Sequence, residues 1–416
     1  MKNKSKTINN PVLINGRPVK YGTIVPLIGG MSVANKNVTG SEPSFFISYP
    51  GFEGNDAHAV NHFKKTPYIT IDPETNELPE DQNALFEDVD FVSAVCPCAG
   101  LSMLNANNST GDKSRGSDAV QNEWMYKSAR IVLEQVRPKV FWGENAPGLY
   151  TNMGAGVVEK LREIGKENGY SMSIVKTNTF LHGIPQHRQR TFYFFWKDSE
   201  APLLNYYNTE APHLAEYLAM IPEGTSLMDK GFGLGDLSEN PWVQFVKSKG
   251  WDMQKAIDSP SITLLQLILR EGWLDDAIAW GEANEKKDVF KFCTHVKNKI
   301  ADNKGFWDAT PLVFNEATNA IIAKNAGIVH PNGDRGITVR EAMWLMGLPH
   351  DFELVGGHWN HICQNVPVKT ASDWTSEVVR FIKGEITEFG GDFVKQNNTS
   401  QKIDFAEKIL KSKVLF

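Results

Sequence analysis

The chain has 416 residues, with 43 Lys and Arg against 49 Asp and Glu and a formal net charge of −6, which excludes a uniformly basic nucleic-acid coat and makes any phosphate-binding surface local. Hydrophobic residues make up 41% and charged residues 22%, the balance of a globular protein of roughly two to three domains. No apolar run is long enough to span a membrane, and the basic start Met1-Lys2-Asn3-Lys4-Ser5-Lys6 runs into Thr7-Ile8-Asn9-Asn10 instead of an apolar signal segment, so a cytoplasmic location is expected. Cys96, Cys98, Cys293 and Cys363 are too scattered for a disulfide framework or paired zinc knuckles, which points to a reducing setting without a metal centre.

From Ile24 to Trp196 short apolar runs alternate with helical segments, the pattern of a parallel sheet with crossover helices. Strands are expected at 23–28, 45–48, 68–71, 91–95, 139–142, 171–177 and 191–196. Helices are expected at 117–136, where Val120, Trp124, Ile131 and Val132 recur at near-helical spacing, and at 157–167. An α/β doubly wound domain follows. Beyond Trp196 the pattern changes: Pro202, Pro212, Pro222 and Pro241 interrupt the chain, Gly231-Phe232-Gly233-Leu234-Gly235 intervenes, and 262–283 is helical. A smaller inserted domain is therefore expected at 197–309, between a first part at 1–196 and a return at 310–416. Strand and helix character resumes near Ile328, and 372–383 is amphipathic.

Several residues carry chemistry. Cys98 follows the apolar run Phe91-Val92-Ser93-Ala94-Val95, where a buried strand opens into a loop. An isolated cysteine is usually a small buried hydrophobe, so its company decides. Glu144 ends the run Val140-Phe141-Trp142-Gly143 and precedes Asn145-Ala146-Pro147-Gly148. Arg188 and Arg190 alternate along one side of an expected strand, so both guanidinium groups can face one site. Lys286, Lys287, Lys291, His295, Lys297, Lys299 and Lys304, interleaved with Phe290, Phe292, Phe306 and Trp307, form a basic segment. It is either a phosphate-binding face or a solvated helix face.

Taken in order, Pro97-Cys98, Glu144-Asn145, Gly183-Ile184-Pro185-Gln186 followed by Arg188 and Arg190, the Ile337 to Pro349 element and Asn365-Val366-Pro367 resemble the DNA cytosine-5 methyltransferase family. The resemblance implies a Rossmann-like methyltransferase sheet with an inserted, smaller target-recognition domain, and a cofactor at the carboxyl ends of the strands. It implies methyl transfer from S-adenosylmethionine to carbon 5 of a cytosine flipped out of double-stranded DNA, as in restriction-modification enzymes. Carbon 5 is a poor nucleophile, so Cys98 would first add to carbon 6 as a thiolate. Glu144 would protonate ring nitrogen 3, and Arg188 with Arg190 would hold the base. Gly29, Gly30, Glu53, Asp72 and Asn365 correspond to the donor site, and Arg340 to a structural element. A complete motif set in one chain is compatible with a monomer.

Departures cluster near the donor and the nucleophile. The family's Phe-x-Gly-x-Gly-Gly reads here Val25-Pro26-Leu27-Ile28-Gly29-Gly30, Ala99 follows the cysteine in place of glutamine, Ala146 replaces a valine, and the closing Gly-Asn-Ala-Val-Pro is Cys363-Gln364-Asn365-Val366-Pro367. They leave open a modified donor, an RNA acceptor, or a catalytically silent DNA-binding homologue.

Overall fold

The structure is a computed structural model that describes residues 10–102, 116–222, 237–251, 262–306, 308, 310, 312–313, 317–322, 328–331, 335–356, 359–400 and 402–405. The glycine-rich stretch Gly231 to Gly235 and Trp307 lie outside the described residues.

Strands β1 (Tyr21–Ile24), β2 (Phe45–Ser48), β3 (Tyr68–Thr70), β4 (Phe91–Val95), β5 (Val140–Asn145), β6 (Tyr170–Asn178), β7 (Gln189–Lys197), β8 (Phe393–Asn397) and β9 (Lys402–Phe405) form one mixed sheet. Its order is β3-β2-β1-β4-β5-β7-β6-β8-β9. β1 to β5 are mutually parallel, and β7 runs antiparallel between β5 and β6. Every residue of β1, β2, β4 and β5 is buried, which is why they read as continuous apolar runs and not as alternating ones. The sheet is the expected α/β methyltransferase type, with β8 and β9 added to the expected strands and with shifts in strand bounds. The first strand ends at Ile24, because Val25 and Leu27 adopt positive φ and turn the chain, so the apolar run to Ile28 is only partly strand. The strand expected at 139–142 continues through Gly143 and Glu144 to Asn145.

Helices cover both faces. α1 (Gly30–Thr39) packs against α10 (Val368–Ile382). Beneath them runs a buried polar chain: the Thr23 hydroxyl lies 3.0 Å from those of Ser32 and Ser93, the Asn35 amide donates to Ser93, and the Thr375 hydroxyl donates to Asn35 at 2.9 Å. α2 (Glu53–His62) follows β2. α3 (Glu123–Arg130) runs on into a π-helical turn at Ile131–Val136, and α4 (Ala155–Glu167) leads into β6. The helix expected from Ser117 therefore starts later.

A second core lies in α5 (Pro241–Ser248), α6 (Leu264–Arg270), α7 (Leu274–Ala283) and α8 (Lys287–Ala301). Trp242, Val243, Phe245, Val246, Leu267 and Cys293 are among its residues. Ala201, Leu204, Leu214 and Leu218 instead pack into the core of the large sheet. α9 (Val339–Leu345) starts at a capping box, in which the Thr338 hydroxyl accepts the Glu341 N–H and the Glu341 carboxylate accepts the Thr338 N–H. Glu341 also takes a fork of two bonds from Arg335 at 2.9 and 2.8 Å. Burial alone would raise its pKa, but Arg335 and the cap hold it below the usual glutamate value. Among the described residues no helix is long and apolar enough to cross a membrane.

Candidate active site

Strand register brings the chemistry together. β4 and β5 are parallel and end at the same edge, with Val95 opposite Glu144, while β7 starts at that edge with Phe192 opposite Glu144. Cys98 comes three residues after Val95 and Arg190 two before Phe192, so the thiol, the carboxyl and the guanidinium reach one corner. The loops that carry them are clamped together. A side chain on Gly148 would approach the Leu101 carbonyl to 2.2 Å, so only glycine lets the turn after Glu144 lie against the turn after Cys98.

Glu144 is 4% exposed, and Arg190 Nε lies 2.6 Å from its Oε1. The contact is an ion pair, since Oε1 has no aligned hydrogen-bond donor among the described residues. Burial raises the Glu144 pKa, against the pull of Arg190 and Arg188. Cys98 is partly exposed and caps a short helical turn, Ala99–Leu101. Burial pushes its thiol up, Arg190 and Arg188 favour the thiolate, and the Glu144 charge disfavours it. Neutralising Glu144 would therefore ease ionisation of Cys98.

Arg188 and Arg190 do share a side of the chain, with exposed Gln189 between them and exposed His187 before them, but their heads do different work. Arg188 is 2% exposed and donates to the carbonyls of Ile321 (3.2 Å), Cys363 (2.7 Å) and Asn365 (3.2 Å). It fastens the returning segment to the site, a use of the guanidinium that the sequence does not disclose. Cys363 adds a second thiol to the cluster, raised by burial and lowered by Arg188.

The C-5 cytosine-specific DNA methylase family matches residues 28–372, a span holding every one of these side chains. The chain belongs to this family. It is similar to the Type II methyltransferase M.AgeI of Thalassovita gelatinovora, 30% identical over 131 residues, which are 32% of this chain and 28% of that enzyme. It is also similar to the Type II methyltransferase M.Bpa9945I of Bacillus paralicheniformis, 22% identical over 373 residues, covering 77% of this chain and 78% of the other. In fold it resembles an Escherichia coli structure described as a DNA modification methyltransferase encoded within a prophage, with TM-score 0.54, 16% identity, and 88% of this chain and 99% of that one covered.

Methylases of this family generally use S-adenosylmethionine, and the corner at the ends of β1, β2 and β3 suits it in part. Glu53 opens α2 as an exposed carboxylate that accepts the Gly51 N–H at 2.8 Å. Beside it a side chain on Gly51 or Gly54 would meet nothing within 4 Å, so the surface next to the carboxylate is open. Asp72, exposed after β3, accepts the Glu74 N–H at 2.8 Å on Oδ1. Gly29 and Gly30 are needed for a different reason than ligand approach. Added side chains there would strike Ala59 at 2.9 Å and Asn365 Oδ1 at 2.2 Å, so these glycines admit protein neighbours. Asn365, 1% exposed, accepts the Gly30 N–H at 2.9 Å and so ties the closing segment to the start of α1.

Sequence reasoning did not single out Asp56, which lies next to this corner. Fully buried in the first turn of α2, it accepts the Leu27 N–H and the Tyr68 hydroxyl, both at 2.8 Å. Its one visible signal is its place three residues after Glu53, one helical turn further along.

The basic segment forms most of α8. Lys297 pairs with Asp275 at 2.7 Å, and Lys304, just beyond the helix, with Asp302 at 2.9 Å. Lys291 and His295 are exposed and, with Trp242, Asp288, Phe292 and Thr310, line an open groove of about 410 Å³.

Proposed function

We propose that the chain methylates carbon 5 of cytosine in double-stranded DNA, with Cys98 as nucleophile and Glu144 as proton carrier. The observation that carries the reading is the convergence of a half-buried cysteine, a buried glutamate and an arginine at one strand edge. Cys98 adds as thiolate to carbon 6, whose face is reachable only once the base leaves the stack. A proton held on Glu144 passes to ring nitrogen 3, so electron density builds on carbon 5 instead of on a ring anion. Arg190 lies against Glu144, within reach of the same ring edge, and Arg188 acts as a positioning residue through the backbone it grips. S-adenosylmethionine, when bound, supplies the electrophilic methyl group, with Glu53 on its ribose and Asp72 on its amine. A base then takes the carbon 5 proton, the ring electrons expel the Cys98 sulfur as the thiolate that added, and nitrogen 3 returns its proton to Glu144, so both groups are restored.

Target recognition is assigned to the unit within 197–309, with Lys291 and His295 of the α8 groove toward the duplex. The test is mass spectrometry of nucleosides from DNA, and in parallel from RNA, incubated with the protein and S-adenosylmethionine. New 5-methylcytosine in DNA, absent with Cys98→Ser, supports the proposal. Product in RNA alone, or product retained by the variant, refutes it.

A further inference from the structure

The turn after β1 is built in an unfavourable conformation. Val25 and Leu27 have φ of 51° and 48°, a left-handed region that a β-branched or bulky side chain avoids, and Gly29 follows at 99°. The family's pattern has its first glycine where Leu27 stands, a residue that adopts such a φ freely. Something else must hold the turn here.

Two side chains from distant parts of the chain do so. At the far end of the turn, Asn365 Oδ1 takes the Gly30 N–H. At the strained end, Asp56 Oδ1 takes the Leu27 N–H, while the Asp56 Oδ2 is fixed by the Tyr68 hydroxyl of β3. Asp56 is fully buried, makes no ion pair among the described residues, and has its pKa raised to about 6 by burial. A buried carboxylate without a counter-ion opposes folding, so its presence calls for a role beyond packing. The helix that presents Glu53 outward turns Asp56 inward one turn later, which links the ribose side of the donor corner to the turn after β1.

We propose that Asp56 is a positioning residue for the methyl donor, holding Leu27 in the left-handed conformation that a glycine would take unaided. The proposal rests on the donor corner assigned above. It concerns shape and not charge: an asparagine at this position still offers a carbonyl oxygen to Leu27 and an amide to the Tyr68 oxygen, whereas an alanine offers neither.

The test is calorimetric titration of the full chain with S-adenosylmethionine in the absence of DNA, alongside thermal unfolding of the unliganded protein. Asp56→Ala is expected to weaken donor binding about tenfold or more, and Asp56→Asn to bind within about threefold of the parent chain. Adding Leu27→Gly to Asp56→Ala is expected to restore most of the lost affinity, because the turn no longer needs a pin. Should Asp56→Ala fail to fold, the comparison of Leu27→Gly with Tyr68→Phe and the Leu27→Gly/Tyr68→Phe double variant makes the same test, with the loss from Tyr68→Phe expected to shrink in the Leu27→Gly background. Losses that simply add between positions 27 and 56, or 27 and 68, overturn the proposal, as does undiminished binding by Asp56→Ala. A parent chain that does not bind S-adenosylmethionine refutes the donor assignment itself, and with it the role of Asp56; binding by the parent with additive losses refutes the role alone.

Discussion

Asp56→Asn should stabilise the protein at neutral pH and lose that advantage in acid. Burial raises this carboxyl from an ordinary value of about 4 to about 6, so the folded chain holds the proton more tightly than the unfolded chain does. With the folded value raised, the group's contribution to stability is fully present below about pH 4 and is lost as pH rises through about 6. The swing is roughly 3 kcal/mol, an upper figure because the buried site can relax around the charge. The asparagine variant keeps the volume and the Leu27 bond but carries no charge, so it avoids that loss. Equilibrium denaturation of both proteins should show the variant more stable by about 1–3 kcal/mol near pH 7.5, with the difference falling below about 1 kcal/mol near pH 4.5. Taking the difference between the two proteins cancels every other titrating group. A variant less stable at neutral pH, or a gap of the same size at both values, would refute the argument that a buried, uncompensated carboxylate sits under the turn.

Glu144→Gln removes the proton carrier while keeping its shape, and single-turnover methylation should slow by about 10² to 10⁴ with donor binding unchanged; slowing of less than tenfold would speak against the role. Lys291→Ala should weaken DNA binding and lower the slope of log affinity against log salt by about 1. An unchanged slope would move the phosphate contact away from the α8 groove. Thr338→Ala removes the cap of α9 and should lower stability by about 1 kcal/mol in denaturant titrations, which a loss under a few tenths would contradict.

The strands and the three chemical residues were readable because parallel, fully buried strands show as apolar runs and because Cys98, Glu144 and Arg190 sit at or next to strand ends, where a turn residue marks the edge. Conformation against propensity was not readable: Val25-Pro26-Leu27-Ile28 is apolar and reads as strand, yet the backbone turns within it. Nor was the direction of a side chain. Asp56 in a first helical turn reads as a solvated acid, and Arg188 reads as a base contact, until the fold places the Ile321, Cys363 and Asn365 carbonyls around its head. The strands β8 and β9 at the end of the sheet also escaped, because Lys395, Gln396 and Asn397 interrupt the apolar pattern of β8, and Gln396 is buried by bonding the N–H and carbonyl of Leu204.

Covalent capture tests the central claim most directly. In duplex DNA containing 5-fluorocytosine at target sites, carbon 5 has no proton to lose after methyl transfer, so the sulfur cannot leave and the protein stays bonded to the DNA. With S-adenosylmethionine present, the account predicts a denaturant-resistant protein–DNA complex whose peptide map places the bond on Cys98, and none with Cys98→Ser. A methylated product without such a complex, or a bond mapped to Cys363, would contradict it.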